Sequence, residues 1–196
     1  NVIYNIIYYN KNNINIFHVF YVYIYMNFQQ QFHNLLEINK KTEVQRSLEW
    51  YKKRYNMLTA SDVATALECN PYKTKRELLI NKCMDFDISK YTNNENISNA
   101  IKWGVKYEPV ACKIYEEFNN NDKVYEFGLM PHSSIKWLGA SPDGIRECGR
   151  MLEIKCVWNR PITKEPPHYY WIQSQIQMEV CNLNECDLFE CKFTEY

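Results

Sequence analysis

The stretch Ser141-Pro142-Asp143-Gly144, followed after seven residues by Leu152-Glu153-Ile154-Lys155-Cys156-Val157, decides how this sequence is interpreted. The second segment is rich in β-forming residues and is flanked by turn residues, which predicts a strand. Successive side chains of a strand point to opposite faces, so Glu153 and Lys155 share one face while the apolar residues face the core. A carboxylate and an ammonium are costly to bury on such a strand. We therefore expect them to line a cleft.

Asp143 supplies a second carboxylate near this strand. It lies in a turn, with nine residues between it and Glu153, and a hairpin would place the two carboxylates side by side. Two hard oxygen donors suit Mg²⁺, with Mn²⁺ as a substitute. Lys155 would then hold or deprotonate an attacking water. The pattern also arises by chance in surface strands that carry an ion pair. The flanking elements must therefore decide between a metal-binding cleft and such a surface strand.

The flanking elements predict an α/β domain. Apolar residues recur at helical spacing on both sides of a region rich in β-formers. The predicted elements are helices over Ser98–Asn119 and His168–Leu183, three strands between them over Lys123–Met130, Lys136–Ala140 and Met151–Val157, and a fourth strand over Asp187–Phe193. Shorter helices are predicted before residue 98. The sequence stops at Tyr196, directly after the fourth strand, which leaves open whether a C-terminal helix is missing.

Composition limits the class of protein further. The 196 residues suffice for one domain, or for one domain with a tail. Lys and Arg total 23, as do Asp and Glu, so the zero net charge excludes a polybasic protein that holds nucleic acid by bulk charge. The eight cysteines form no C-x-x-C pair, and most lie in apolar runs. We interpret them as reduced thiols of an intracellular protein.

The N-terminal segment differs from the rest of the chain. Residues 1–28 contain seven Asn, six Ile and six Tyr but no acid, and the first carboxylate is Glu37. The favoured interpretation is a disordered or non-native tail over residues 1–40, followed by the domain over residues 41–196. An accessory strand or helix, and a membrane or targeting segment, are the alternatives. The uncharged run Ile14–Phe28 is shorter than a membrane span requires.

Together these motifs resemble the PD-(D/E)xK nucleases, and more narrowly the YqaJ-like viral recombinase family of the lambda-exonuclease type. Three further motifs support the narrower resemblance. They are Arg54 seven residues before Ser61, a W-G-x-x-x-E motif in Trp103–Pro109, and a Y-x-x-Q-x-Q-x-x-M motif in Tyr169–Met178. The resemblance covers about residues 46–194. It implies a restriction-endonuclease-like αβββαβ core with a mixed four-stranded central sheet and N-terminal helices.

The resemblance implies a Mg²⁺-dependent deoxyribonuclease, a 5′→3′ exonuclease on double-stranded DNA ends that serves viral or phage-type recombination and replication. A DNA endonuclease or junction resolvase with the same site, and a catalytically idle DNA-binding recombination module, are the alternatives. It also implies a single-strand annealing protein as partner, a ring-shaped homotrimer, no membrane association, and a place in the host cytoplasm or nucleus.

The resemblance also assigns roles to individual residues. The implied metal ligands are Glu108, Asp143, Glu153 and the backbone carbonyl of Ile154; the implied catalytic residues are Asp143, Glu153, Lys155 and Gln173; the implied 5′-phosphate contacts are Arg54, Ser61 and Ser141. The family's arginine beyond the strand has no clean equivalent, but Arg160 lies about one residue away. Gln173 and Gln177 share a helix face, and we expect two of the three glutamines of that helix to be structural or solvated.

Overall fold

The computed structural model describes residues 3–10, 21–93, 95 and 97–195, and it describes residues 3–10 and 21–27 by their backbone. In chain order the elements are β1 (Ile3–Asn10), α1 (Tyr21–Asn39), α2 (Leu48–Tyr55), β2 (Leu58–Thr59), α3 (Ala60–Ala66), α4 (Lys75–Cys83), α5 (Ser89–Thr92), α6 (Asn99–Phe118), β3 (Val124–Tyr125), β4 (Met130–Pro131), β5 (Leu138–Ala140), β6 (Gly144–Arg146), β7 (Met151–Cys156), α7 (His168–Cys181) and β8 (Glu185–Lys192).

The central sheet has the order β1-β8-β7-β6-β3. Strands β7 and β8 are parallel, whereas the other pairs are antiparallel. The helix α6, the strands β3, β6 and β7, the helix α7 and the strand β8 follow one another in the predicted αβββαβ order. The predicted α/β class and mixed sheet are therefore confirmed, and β1 adds a fifth strand along the edge of β8.

The middle strand of the core is not the predicted one. The predicted strand Lys136–Ala140 contains β5, which belongs to a separate three-stranded sheet with β2 and β4. Its place in the central sheet is taken by β6, which follows directly on Asp143. Gly144 makes this possible, because a Cβ there would lie 2.0 Å from the Val124 side chain of β3. Three residues are too short a run for hydrophobic periodicity to identify a strand.

Two parts of the predicted N-terminal tail, residues 3–10 and 21–39, form a strand and a helix. Strand β1 pairs with β8 from Ile3 opposite Lys192 to Asn10 opposite Glu185. In α1, Phe32 and Leu35 are buried in the core. The ring of Phe32 meets that of Tyr125 edge-on, with 5.1 Å between centroids. The division of the chain at residue 40 stays a prediction, but apolar packing extends the core back into α1.

The two long helices place the site. Helix α6 covers one face of the sheet through Ala111 and Tyr115, and α7 contributes Ile172 and Met178 to a second apolar cluster. Strand β7 runs between these clusters, so its polar residues emerge where the two helices leave a gap. None of the helices in the described part of the chain combines the length and the apolar character needed to cross a bilayer.

Candidate active site

One cavity of about 510 Å³ opens at this gap. Its lining contains every residue that the sequence singled out. These are Arg54, Ser61, Glu108, Ser141, Asp143, Glu153, Ile154, Lys155, Arg160 and Gln173. The structure thus brings together residues spread over more than one hundred positions of the chain, and their individual roles are a matter of proposal below.

Glu153 is the buried centre of the site. It projects from β7 and is 2% exposed. Its carboxylate accepts hydrogen bonds from the Lys155 ammonium, from Nε2 of Gln173 at 2.6 Å and from Nε2 of Gln177 at 2.6 Å. The alternation of a strand puts Glu153 and Lys155 on one face, as predicted, and α7 presents both glutamines to it because residues four apart share a helix face.

Asp143 lies directly before β6. Its Oδ2 accepts a hydrogen bond from the backbone N–H of Ile154 at 2.7 Å, which fixes the carboxylate beside the middle of β7. Burial, followed by repulsion from Glu153 and Glu108, holds the pKa of Asp143 well above its ordinary value. The metal-free site therefore disfavours the ionised form of Asp143.

Lys155 is the cation nearest to these acids. Burial acts to lower its pKa, but the carboxylates of Glu153 and Asp143 outweigh burial and leave the pKa above its ordinary value. The Lys155 ammonium also lies 4.9 Å from the centre of the Tyr170 ring and donates to Oε1 of Gln173 at 3.3 Å. Lys155 is thus a charged, multiply held donor that faces the cavity.

Glu108 sits in the middle of α6, directly before Pro109. Both its oxygens accept from Nη2 of Arg46, at 2.8 and 2.7 Å. Within the described residues, no three His, Cys, Asp or Glu side chains already stand as a finished metal centre. The donors nevertheless fit a hard divalent cation, because Glu108, Asp143 and Glu153 line one cavity and repel one another.

Three of the predicted phosphate contacts surround Trp50. The Arg54 guanidinium lies 4.3 Å from the centre of the Trp50 ring and donates to Ser61 Oγ at 3.1 Å. The Trp50 indole N–H donates to Ser141 Oγ at 3.1 Å. Burial lowers the pKa of Arg54, and Asp62 opposes that effect. A partly desolvated guanidinium with two hydroxyl groups nearby is well suited to an anion.

Arg160 reaches the same cavity from the loop after β7. Its guanidinium donates to the fully buried Glu190 of β8 and lies 5.4 Å from the centre of the Tyr170 ring. The ion pair with Glu190 commits one edge of the guanidinium to the protein. Arg160 therefore stands apart from the Trp50 cluster but on the wall of the same cavity.

Sequence reasoning missed three residues of this site. Gln177, to which the sequence assigned no role of its own, is 1% exposed and donates to Glu153. The i,i+4 spacing of Gln173 and Gln177 was the available signal. Trp50 and Arg54 have the same spacing on α2, which could have revealed their contact. No local sequence pattern predicts the role of Arg46, because its partner Glu108 lies 62 positions away.

Comparison with known proteins agrees with this geometry. Residues 49–184 match the YqaJ-like viral recombinase domain. An uncharacterised protein of Acanthamoeba polyphaga mimivirus is 35% identical over 173 residues. That match covers 78% of this chain and 30% of the relative, so the chain spans less than a third of the viral protein's length.

Two solved structures are similar in both sequence and fold. The alkaline exonuclease LHK-Exo from Laribacter hongkongensis is 28% identical, with a TM-score of 0.56, over 74% of this chain and 73% of that chain. Its complex with dAMP is 29% identical, with the same TM-score of 0.56 and the same coverage of 74% and 73%.

The fold and the carboxylate-lined cavity define the restriction-endonuclease-like class of nuclease domains. Within that class, the chain belongs to the YqaJ-like viral recombinase domain family. This membership confirms the resemblance drawn from the motifs, and the mimivirus relative agrees with the expected viral setting.

Proposed function

We propose that this domain is a Mg²⁺-dependent deoxyribonuclease that degrades double-stranded DNA from its ends in the 5′→3′ direction during viral recombination or replication. The observation that carries the proposal is the single cavity in which Asp143, Glu153, Lys155 and Gln173 meet beside an arginine–serine cluster. The similarity to an alkaline exonuclease supports the reaction, and the dAMP in one similar structure is a deoxynucleoside monophosphate, the class of product that an exonuclease releases.

The metal-binding role falls to Glu108, Asp143, Glu153 and the carbonyl of Ile154. A Mg²⁺ ion bound there would neutralise charge on the scissile phosphate and lower the pKa of a bound water. The carboxylate repulsion described above supports this role, because a divalent cation would relieve it. Mn²⁺ would serve as a substitute, since it accepts the same oxygen donors.

The catalytic role falls to Lys155, assisted by Gln173. Both side chains are tied to Glu153, so the strand and α7 fix their positions relative to the carboxylates. Lys155 would orient the attacking water and stabilise negative charge that develops on the phosphate. Gln173 would fix the Lys155 ammonium relative to the Glu153 carboxylate, because it hydrogen-bonds to both, and it would also contact the attacking water.

End recognition falls to Arg54, Ser61 and Ser141, with Arg160 elsewhere in the lining of the same cavity. The 5′-terminal phosphate carries an additional charge that an internal phosphate lacks, so a guanidinium and two hydroxyls would favour an end over a continuous duplex. The stacking of Arg54 on Trp50 supports this role because it pre-orients the guanidinium toward the cavity.

The test is digestion of 5′-phosphorylated linear duplex beside closed circular duplex, with Mg²⁺, with EDTA and with the Lys155→Ala variant. Loss of linear DNA alone, abolished by EDTA and by the substitution, is the expected result. Cutting of circles would establish the endonuclease alternative instead. A folded protein that binds DNA but cleaves neither substrate would contradict catalysis and leave the binding module. The annealing partner and the ring trimer stay predictions, for which sedimentation and co-purification are the measurements.

A further inference from the structure

The ion pair between Arg46 and Glu108 occupies a carboxylate that the proposed function assigns to the metal. One guanidinium nitrogen, Nη2, donates to both oxygens of Glu108 at 2.8 and 2.7 Å. Both side chains are partly shielded, with exposed fractions of 39% and 29%. Each oxygen of Glu108 keeps a free lone pair, but the positive charge of the guanidinium at this distance repels a divalent cation, so Glu108 binds the metal fully only after Arg46 has moved away.

The segment that carries Arg46 is fastened to the site itself. Nε2 of the neighbouring Gln45 donates to the carbonyl oxygens of Phe127 at 2.7 Å and Pro142 at 3.2 Å, and Pro142 directly precedes Asp143. Arg46 adopts a left-handed backbone conformation with φ of 65°, which is unfavourable for a residue with a Cβ. The chain thus maintains a strained residue at this point and aims its side chain at Glu108.

The ion pair also stands where two cavities meet. A second cavity of about 620 Å³ lies on the other side of the carboxylates, and Arg46, Glu108, Asp143 and Ile154 line both cavities. Solvent cations can therefore reach the pair from either side. An arginine that neutralises one acid of the cluster from this position acts as an internal counter-ion.

We propose that Arg46 is a placeholder for the metal: it holds Glu108 while the site lacks a divalent cation and releases Glu108 when the cation binds. The inference rests on the proposed metal-dependent function and adds a positioning residue to it. Arg46 competes with the metal for one carboxylate, so it keeps the acidic site stable at the expense of metal affinity.

If Arg46 competes with the metal for Glu108, removing its charge should lower stability without metal and raise the affinity for Mg²⁺. Arg46→Gln removes the charge and keeps the Cβ, so it retains the backbone strain. Without metal, the variant should melt at a lower temperature than the wild type, because Glu108 then faces Asp143 without a counter-ion. With Mg²⁺, the variant should bind the ion more tightly, because no competitor remains. A merely structural ion pair would produce only the first effect.

The experiment follows the melting temperature of the DNA-free protein across a Mg²⁺ titration and derives the dissociation constant by linkage. We expect the Kd of Arg46→Gln for Mg²⁺ to be about two- to fivefold lower than that of the wild type, the range that a partly exposed ion pair provides. The matched control is Lys53→Gln. Lys53 binds both oxygens of Glu43 at 2.9 Å in the same region with similar exposure, but away from the cavity. Its loss should leave the Mg²⁺ affinity unchanged.

An unchanged or weaker Mg²⁺ affinity of Arg46→Gln, with Mg²⁺-dependent cleavage intact in the wild type, would overturn the placeholder role alone. No effect of Mg²⁺ on the melting or the cleavage of any form would overturn the metal-dependent function and the placeholder with it. If Arg46→Gln does not fold, Arg46→Lys replaces it. A lysine keeps the charge on a shorter side chain that holds Glu108 less firmly, so its Mg²⁺ affinity should also exceed that of the wild type.

Discussion

Two buried acids lie on neighbouring strands, Glu153 on β7 and Asp187 on β8, but their charged surroundings differ. They are 2% and 1% exposed. They face opposite sides of the sheet, because Asp187 pairs with Leu152, the residue before Glu153. Asp187 accepts from the hydroxyl of Tyr115 at 2.6 Å and from Nη1 of Arg150 at 2.9 Å. Each of its oxygens is thus matched by a donor from the fold.

Glu153 is also well supplied with donors, but it has two further acids beside it. Asp143 accepts a hydrogen bond from the backbone N–H of Ile154, and Glu108 is paired with Arg46. The Asp187 cluster is balanced and ties α6 to the sheet. When all three are ionised, the acids Glu153, Asp143 and Glu108 outnumber their direct cationic partners Lys155 and Arg46 by one charge, which a bound cation would offset. Neighbouring acids, in addition to burial, therefore distinguish a candidate metal site from a structural ion pair.

The largest expected effect is that of Lys155→Ala on cleavage. Loss of the positioned ammonium should lower the Mg²⁺-dependent cleavage rate by about 10³-fold, within the range for general acid–base groups. The matched control is Lys106→Ala on α6, whose ammonium binds the exposed Glu195. Rates would be measured on 5′-phosphorylated duplex. Equal losses in both variants would remove Lys155 from the proposed chemistry.

Next in size is the effect of Asp187→Asn on stability. Arg150 would keep its partner Glu185 but lose the buried charge of Asp187, which should lower the free energy of unfolding by about 2 kcal/mol. Cleavage per folded molecule should stay within about twofold of the wild type. Asp122→Asn, which removes the more exposed partner of Arg146, should cost less than about 1 kcal/mol. Urea unfolding measures both, and a large loss of activity in folded Asp187→Asn would break the proposed division between the two clusters.

Gln177→Leu tests the residue that sequence reasoning missed. The leucine keeps the buried volume but removes the donor to Glu153, which should lower the cleavage rate by about 10- to 100-fold, as for other residues that orient metal ligands. Gln175→Leu on the other face of α7 is the control and should change the rate less than about twofold. If the two variants behave alike, Gln177 serves packing only.

The smallest expected effect concerns Asp143→Asn in the absence of metal. Because the pKa of Asp143 is raised in the folded protein, the protonated carboxyl contributes to stability. This contribution is fully present below the ordinary pKa of 3.8 and is lost as the pH rises through the raised pKa. The metal-free wild type should therefore lose stability over that window, whereas Asp143→Asn should not. At neutral pH the variant should melt a few degrees higher, about 2–4 °C, while Mg²⁺ should no longer stabilise it. A lower melting temperature in EDTA would contradict the surplus of charge.

The sequence predicted those parts of the site that depend on local periodicity. Strand alternation placed Glu153 and Lys155 together, and helical spacing placed Gln173 on the same helix face as Gln177. The element order of the core followed from the same two periods, 2 and 3.6.

The rest depends on contacts that no local pattern encodes. Strand β6 is three residues long and is defined by its partners. The composition of β1 resembles a tail, yet its backbone pairs with β8, more than 170 residues away. Arg46 occupies a left-handed conformation without the glycine or asparagine that usually marks one. These features arise from tertiary contacts, which local sequence patterns do not encode.

The most direct test of the central claim is a time course with duplex DNA that carries a label on the 5′-terminal phosphate of one strand. The account predicts that the wild-type protein, with Mg²⁺, releases the label first as a mononucleotide, and that neither EDTA-treated protein nor Lys155→Ala does so. Release of the label in longer fragments, or only after the 3′ portion of the strand has gone, would contradict a 5′→3′ exonuclease built on this site.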